Sequence, residues 1–345
     1  DVGSVPVTLK QIGVSQAGQG FPGAVGPGEC ARIFTGAPLP DGADAIVIQE
    51  DTTAVNEQIT VMESTQSGAD VRPAGLDFSV GDILLKTGAV LSARDLGLAA
   101  AMNVPWLRVR RRPRVAIVAT GDEVMMPGDP IGADQIVSSN SIALAAIVRV
   151  LGGEPLGLGI ARDTDASLRQ VLSGAKGADV LVTIGGASVG DYDLVQKVMA
   201  EDGLDLNFYK VAMRPGKPLI FGRWKDIPVL GLPGNPVSAG VTSAIFLRAA
   251  INVMLGIGDG GLGTEKARLG CDVKANGMRQ EFMRATLDTD SEGNLVPTPF
   301  DRQDSAMMAS FASADCLVIR PVDAPSAQAG DIVEIVRFDK GLSRF

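Results

Sequence analysis

Between Arg114 and Gly256 the chain alternates apolar β runs with helical patterns, and few folds accept that alternation. RVAIVAT at Arg114–Thr120 leads into TGDE, a loop, and a helix from about Asn140 to Leu151 capped by Ser or Asn. A strand through Pro155–Ile160, a loop at Ala161–Asp165 and a helix over Ala166–Lys176 behind Thr164 or Asp165 follow. Val180–Ile184 comes third, an unbroken and largely β-branched run of the kind covered on both faces. A helix through Leu194–Ala200, strands at Leu206–Ala212, Leu219–Phe221 and Pro228–Leu230, and a long apolar helix from about Pro236 to Leu255 complete the series. This order predicts βαβ units and an α/β domain built on a mostly parallel sheet over residues 113–260. Ligands of such sheets bind beyond the carboxyl ends of the strands.

The flanks read differently. Over residues 1–71 the short runs VPVTLK, GECARIFTG, DAIVIQED and QITVME, broken by Gly and Pro, predict a small β domain. Residues 72–112 form a connecting region. It has a loop around Asp77, a strand near Ile83–Lys86, and a helix from about Ser92, which suits an N-cap with Asp95 at N3. RVRRRPR at Arg108–Arg114 is then a solvated edge strand or linker. Residues 261–345 return to β patterns, ARLGCDV, EFMRATLD, CLVIRP and DIVEIVRF, with a turn at DSEGN, and predict a small barrel or sandwich. The helix from Pro236 has the length of a membrane span. Ser238, Thr242, Ser243, Arg248 and Asn252 interrupt it, so a buried or dimer-facing helix is expected. Gly256–Gly261 satisfies GxGxxG but follows a helix, and reads as a linker.

Composition narrows the chemistry. The 345 residues contain no histidine, which removes Ser-His-Asp and Cys-His catalysis and histidine-ligated zinc. Proton transfer and metal binding then fall to carboxylates, lysines or water. A net charge of −9 argues against general nucleic-acid or anionic-membrane binding. Cys30, Cys271 and Cys316 are far apart and form no CxxC, which fits a reducing cytoplasm. The start, DVGSVPVTLK, shows no signal peptide and no initiator Met, and reads as a trimmed end.

Three loops leave strands at one presumed edge: Thr120–Glu123, Gly185–Asp193 and Gly231–Ser238. Gly185 and Gly186 let main-chain amides approach a ligand, with Ser188, Asp191 and Asp193 just beyond. In LPGNPVS, Asn235 suits an N-cap and Pro236 the first helical position, so the free amides there favour an anion. Arg214-Pro215-Gly216-Lys217-Pro218 puts two cations on a stiff turn, as an oxyanion site or an ordinary surface turn would. Glu123, Asp163 and Asp193 are hard oxygen donors suited to Mg²⁺ bridged to phosphates, although Asp122 or Asp163 could instead cap a helix. In RIFTGAPLPD, Thr35 and Gly36 directly follow a strand, where a tight turn is the plainer explanation.

With these residues in order, the chain resembles the molybdopterin molybdenumtransferase family, the MoeA proteins and the gephyrin E domain. TGDE, GGASVGDYD at Gly185–Asp193, RPGKP and GLPGNPVSA at Gly231–Ala239 carry the resemblance, with RIFTGAPLP and VRPAGLDFSVGD in support. Ala187 stands where valine is usual and Arg214 where lysine is common, and the family's N-terminal DGYA-type motif is not among these residues. The resemblance implies insertion of molybdenum, supplied as molybdate, into adenylated molybdopterin, with Mg²⁺-assisted release of AMP. Glu123, Asp193, Asp163, Asp77 and Thr35 would be catalytic, Asp193 and Glu123 also holding the metal. Ser188, Arg214, Lys217, Ser238, Arg284 and Ser305 would bind molybdate or phosphate. Gly185, Gly186, Pro233, Gly234, Asn235 and Pro236 would bind the pterin nucleotide. It further implies a cytoplasmic homodimer that works with a molybdopterin adenylyltransferase and molybdoenzyme maturation proteins. An adenylyltransferase and a gephyrin-like scaffold are the competing readings.

Overall fold

The computed structural model describes residues 1–186, 194–258 and 261–338. It is a mixed α/β chain that divides into two compact units, Asp1–Leu84 and Leu85–Phe345.

In the first unit β1 (Val7–Ser15), β2 (Glu29–Ile33), β3 (Thr52–Val55) and β4 (Gln58–Val61) form one sheet in the order β2-β1-β4-β3. β1 pairs in parallel with β2 and antiparallel with β4. DAIVIQED, expected as a strand, contributes only a single 3₁₀ turn at Gln49–Asp51. Its Ile46 amide finds the Ala69 carbonyl, but among the described residues no strand lies alongside to continue a ladder. Ile83–Lys86 is likewise not a strand. Ile83 and Leu84 are exposed, and a β run with neither a partner nor a covered face has nothing to hold it.

The second unit begins with α1 (Ala93–Ala101), where Ser92 Oγ accepts from the Asp95 amide and the Asp95 carboxylate accepts from the Ser92 amide. Arg108–Pro113 runs without regular structure into the central sheet. There Arg111 grips both carboxylate oxygens of Asp179 at 2.6 Å.

The central elements are β5 (Arg114–Thr120), the short pair β6 (Val124–Met125) and β7 (Ile136–Val137), α2 (Ser139–Val150), β8 (Glu154–Ala161), α3 (Asp165–Ser173), β9 (Val180–Ile184) and α4 (Leu194–Glu201). β10 (Leu204–Lys210), β11 (Met213–Arg214), β12 (Pro218–Trp224), β13 (Ile227–Leu232) and α5 (Pro236–Thr242) follow. α5 continues through a π-helical turn at Ser243–Leu247 into α6 (Arg248–Leu255). The sheet order is β10-β12-β13-β9-β5-β8. β8, β5, β9 and β13 are mutually parallel, and β12 and β10 extend the sheet antiparallel.

The alternation along β5 and β9 decides where the helices go. Val115, Ile117, Val180, Val182 and Ile184 pack on α2 and α6 through Leu144, Val148 and Ile251. Ala116, Val118 and Leu181 pack on α3 and α4 through Leu168, Leu172, Val195 and Met199. Each such fully buried Val, Leu or Ile contributes about 1.5–3 kcal/mol relative to exposure, so both faces are strongly specified. After β5 the chain moves to β8 on one side, then crosses to β9 on the other. The topological switch point therefore lies between β5 and β9.

Beyond it come β14 (Glu265–Arg268), β15 (Gln280–Thr289), β16 (Leu295–Pro299), α7 (Met308–Ala312), β17 (Cys316–Arg320) and β18 (Ile332–Arg337). Their sheet runs β11-β15-β17-β18-β14, with β16 also on β15. It is one sheet, whose two edges are tied where the Gly270 amide donates to the Pro297 carbonyl at 2.8 Å. A side chain at Gly270 would meet Thr298 and the Pro297 carbonyl. The stretch Pro236–Leu255 is long and apolar enough to cross a membrane, and here it is a core element. Val237, Val241 and Ile245 share a core with Phe282, Leu317, Ile319 and Val336, so the helix joins the central sheet to the C-terminal one.

Candidate functional site

Four parallel strands end at one edge, and each is followed by a loop that the sequence marked. After β5, Thr120 is buried and donates through Oγ1 to the Ile184 carbonyl at 3.3 Å, which ties this loop to the one after β9. Gly185 has φ +86 and lies against Thr120, so a side chain there would be both strained and obstructed. Its amide donates to the Leu232 carbonyl at 3.1 Å, joining the β9 and β13 loops. Glu123 is exposed, with its carboxylate folded back over Gly121. Asp163 is exposed after β8, and its amide donates to Asp122 Oδ1 at 3.2 Å. Asp122 therefore ties two loops together, while Thr164 caps α3 by accepting from the Ser167 amide. Ser188, Asp191 and Asp193 lie outside the described residues.

The β13 loop is held from two sides. Asn140, at the start of α2, donates to the Gly234 carbonyl at 2.6 Å. Asn235 occupies the N-cap position of α5 and Pro236 follows at the first helical position, but the Asn235 side chain does not cap. Its amide instead donates to Ser305 Oγ at 2.9 Å, and the Val237 amide donates to the Ser305 carbonyl at 3.0 Å. The loop carrying Ser305 is thus seated on the helix start, and one of the amides expected to face an anion is already taken. Farther along, Phe311 of α7 packs over Gly240, and Ser238 is buried within α5.

RPGKP lies on the same helix. Gly216, at φ +102, sits against Thr242, whose hydroxyl donates to the Ser238 carbonyl one turn back. Lys217 is exposed, and its carbonyl accepts from the Val211 amide to close the turn. Arg214 is about half exposed and pairs with Glu281 of β15 at 3.0 Å.

Arg284, a molybdate contact in the resemblance, is engaged by the protein's own groups in this structure. Its side chain is buried, and all five N–H groups are engaged: Nε with Gln303, Nη1 with the Met307 carbonyl and Ser310 Oγ, and Nη2 with the Arg302 and Asp304 carbonyls. Burial lowers its affinity for the proton, and the nearby Asp304 partly offsets this. Arg284 therefore organises the loop that delivers Ser305, and no N–H remains to present to an oxyanion. Thr35 and Asp77 are exposed residues of the first unit, Thr35 in the turn directly after β2. Sequence reasoning missed Asn140 as a loop anchor, and Gln303 and Glu281 altogether. An asparagine at a helix start reads as a cap, and Glu281 and Gln303, although they lie in the EFMRATL and DRQDSAMMAS stretches, stand beside the residues those stretches draw attention to, Arg284 and Ser305.

Three family models cover the chain: the MoeA N-terminal region (domain I and II) at residues 3–103, a probable molybdopterin binding domain at 116–252, and the MoeA C-terminal region (domain IV) at 266–338. A molybdopterin molybdenumtransferase of Haemophilus influenzae is 30% identical over 337 residues, covering 96% of this chain and 83% of the relative. The chain belongs to the molybdopterin molybdenumtransferase family. Molybdopterin molybdenumtransferase 2 of Mycobacterium tuberculosis is 34% identical, with 96% and 82% covered. A molybdopterin molybdenumtransferase of Nostoc sp. is 37% identical over 82% of this chain, which spans 66% of that relative's length. Among solved structures, the molybdopterin biosynthesis MoeA protein of Pyrococcus horikosii superposes with a TM-score of 0.82 at 34% identity, covering 97% of this chain and 82% of that one.

Proposed function

We infer that this chain inserts molybdenum from molybdate into adenylated molybdopterin, releasing AMP and molybdenum cofactor. Family membership sets the reaction class. The observation that carries the reading to particular residues is the seating of the Ser305 loop on Asn235 and Val237 at the start of α5, the same helix whose other end, at Thr242, packs against Gly216 of RPGKP. Adenylated molybdopterin then lies along the switch-point edge, its phosphates toward Gly185, Gly186 and the Pro233–Pro236 loop. Arg214, Lys217, Ser188, Ser238 and Ser305 offer donors of the kind a tetrahedral dianion takes.

Hydrolysis needs a water that attacks phosphorus, a proton acceptor, and departure of AMP as the phosphoanhydride bond breaks. Without histidine, a carboxylate of this edge takes the proton, and Asp163 or Glu123 is the candidate, while Thr35 and Asp77 remain catalytic assignments from the resemblance alone. The described residues contain no group of three Asp, Glu, His or Cys side chains arranged to hold a metal. Mg²⁺ is nonetheless compatible with an oxygen-only edge, since it commonly binds through one or two carboxylates plus substrate phosphates. Glu123 and Asp193 would hold it, and when bound it offsets charge at the scissile phosphoanhydride.

The protein would act as a cytoplasmic homodimer, taking substrate from a molybdopterin adenylyltransferase and passing cofactor to molybdoenzyme maturation proteins. Incubation with adenylated molybdopterin, magnesium and molybdate should yield AMP and cofactor together. Absence of AMP release refutes the reading, and synthesis of adenylated molybdopterin from ATP would replace it with adenylyl transfer.

A further inference from the structure

β11 is two residues long, yet it sets the direction of the RPGKP turn. It pairs in parallel with β15 of the C-terminal sheet and has no place in the ladder of the central sheet. Met213 faces Gln280 and Arg214 faces Glu281, and the Gln280 amide reinforces the pairing by donating to the Ala212 carbonyl at 2.9 Å. Glu281 in turn faces Arg320 on β17, so these three side chains share one face of the sheet. Arg320 is buried and gives Nη2 to the Pro325 carbonyl, while the Glu281 carboxylate receives Arg214 Nη1 at 3.0 Å. The two partners differ in exposure: the Glu281 side chain is 19% exposed and set in a sheet, whereas Arg214 is 56% exposed and leads into a turn.

We propose that Glu281 is a positioning residue for Arg214, holding its guanidinium by one nitrogen so that the Nε–Nη2 edge is pre-aimed at the molybdate oxyanion. This rests on the reading of Arg214 as an anion contact. A half-exposed arginine samples many rotamers, and ordering it at the moment of binding weakens binding. A neighbouring carboxylate fixes it beforehand, and a guanidinium has a second edge with which to meet a further acceptor. The C-terminal sheet thereby takes part in anion capture without touching the anion.

The test compares Glu281→Ala, Glu281→Gln and Arg214→Ala with the wild-type chain. It measures molybdate-dependent AMP release, equilibrium dialysis of molybdate, and thermal unfolding. Glu281→Ala should raise the molybdate KM by about tenfold, the scale expected for ordering one long side chain on binding, with kcat and the KM for adenylated molybdopterin little changed. Glu281→Gln keeps an acceptor oxygen and should recover most of the loss. In an Arg214→Ala background Glu281→Ala should have no further effect on the molybdate KM.

If both Glu281 variants lower the molybdate KM, the carboxylate competes with the anion and the proposal falls. If Glu281→Ala instead lowers thermal stability and kcat equally in both backgrounds, its role is structural and the proposal falls as well. A wild-type chain that neither binds molybdate nor releases AMP removes the underlying functional reading and this proposal with it. Normal wild-type turnover with an unchanged KM in Glu281→Ala overturns the proposal alone.

Discussion

Replacing Arg284 by alanine separates a residue that builds the site from one that touches substrate. The structure fixes which acceptors lose out. Gln303 Oε1 keeps the Arg284 main-chain amide, Met307 O keeps Ser310 Oγ, and Asp304 O keeps the Met307 amide. The Arg302 carbonyl loses the donor that reaches it, and because Arg302 is exposed and water can replace that donor, the cost is about 1 kcal/mol. Two methylenes beyond Cβ also leave the core, worth about 1.6 kcal/mol at roughly 0.8 each. Removing a buried cation that has no carboxylate bound to it offsets part of the sum. The net is a destabilisation of about 2 kcal/mol, localised at residues 302–310. Urea unfolding reads the total, and hydrogen exchange on that loop reads its location. Molybdate affinity should fall only as far as Ser305 is displaced, and Arg284→Lys, with three donors, should lie between wild type and alanine. An unchanged unfolding midpoint and unchanged loop exchange, together with lost molybdate binding, would refute the reasoning and make Arg284 a direct contact.

Two further outcomes follow from titratable groups outside the site. The Arg111 guanidinium, with a smaller contribution from the Arg114 amide, holds the Asp179 carboxyl below its ordinary value. A depressed carboxyl contributes stability that is present above its unfolded pKa and is lost as pH falls through the folded value. The stability gap between wild type and Asp179→Asn at pH 7 should therefore narrow below about pH 4, and a gap independent of pH would contradict this. Burial, with a smaller push from Asp315, drives the Cys316 thiol up to about 12. At pH 8 a thiol reagent should modify the less buried Cys30 and Cys271 first and reach Cys316 only on unfolding, which mass spectrometry of the labelled peptides can follow.

What could be read from the sequence depended on whether a residue's partner was local. Val180–Ile184 was legible to the residue because an apolar, β-branched run between turn signals specifies a doubly covered strand by itself. The Ser92–Asp95 box was equally legible, because both halves lie within one helical turn. DAIVIQED failed because a strand requires a neighbour, and its β content says nothing about whether one arrives. Asn235 shows the same limit at the site: its position before Pro236 was correctly placed as an N-cap, yet its side chain bonds to Ser305, seventy residues away. Arg284 was singled out as functional on its motif, and only the fold shows that its donors close on a loop.

These long-range partners tie the C-terminal sheet of the second unit to the proposed site. The central sheet alone supplies a switch point with glycine amides and exposed carboxylates, a generic nucleotide edge. Three contacts convert it into something narrower: β11 pairs with β15, Ser305 sits on Asn235 and Val237, and Phe311 covers Gly240. Each comes from a different segment of the C-terminal region, and two of them fall on α5, which contributes Val237 and Val241, with Ile245 of the π-helical turn that follows, to the core beneath that sheet. Displacing the sheet would move RPGKP, the start of α5 and Ser305 together. On the proposed reading, anion geometry and C-terminal packing are therefore one structural variable, and substitutions in the core formed by Phe282, Leu317 and Ile319 should alter molybdate affinity before they alter the proposed pterin-nucleotide edge at Gly185.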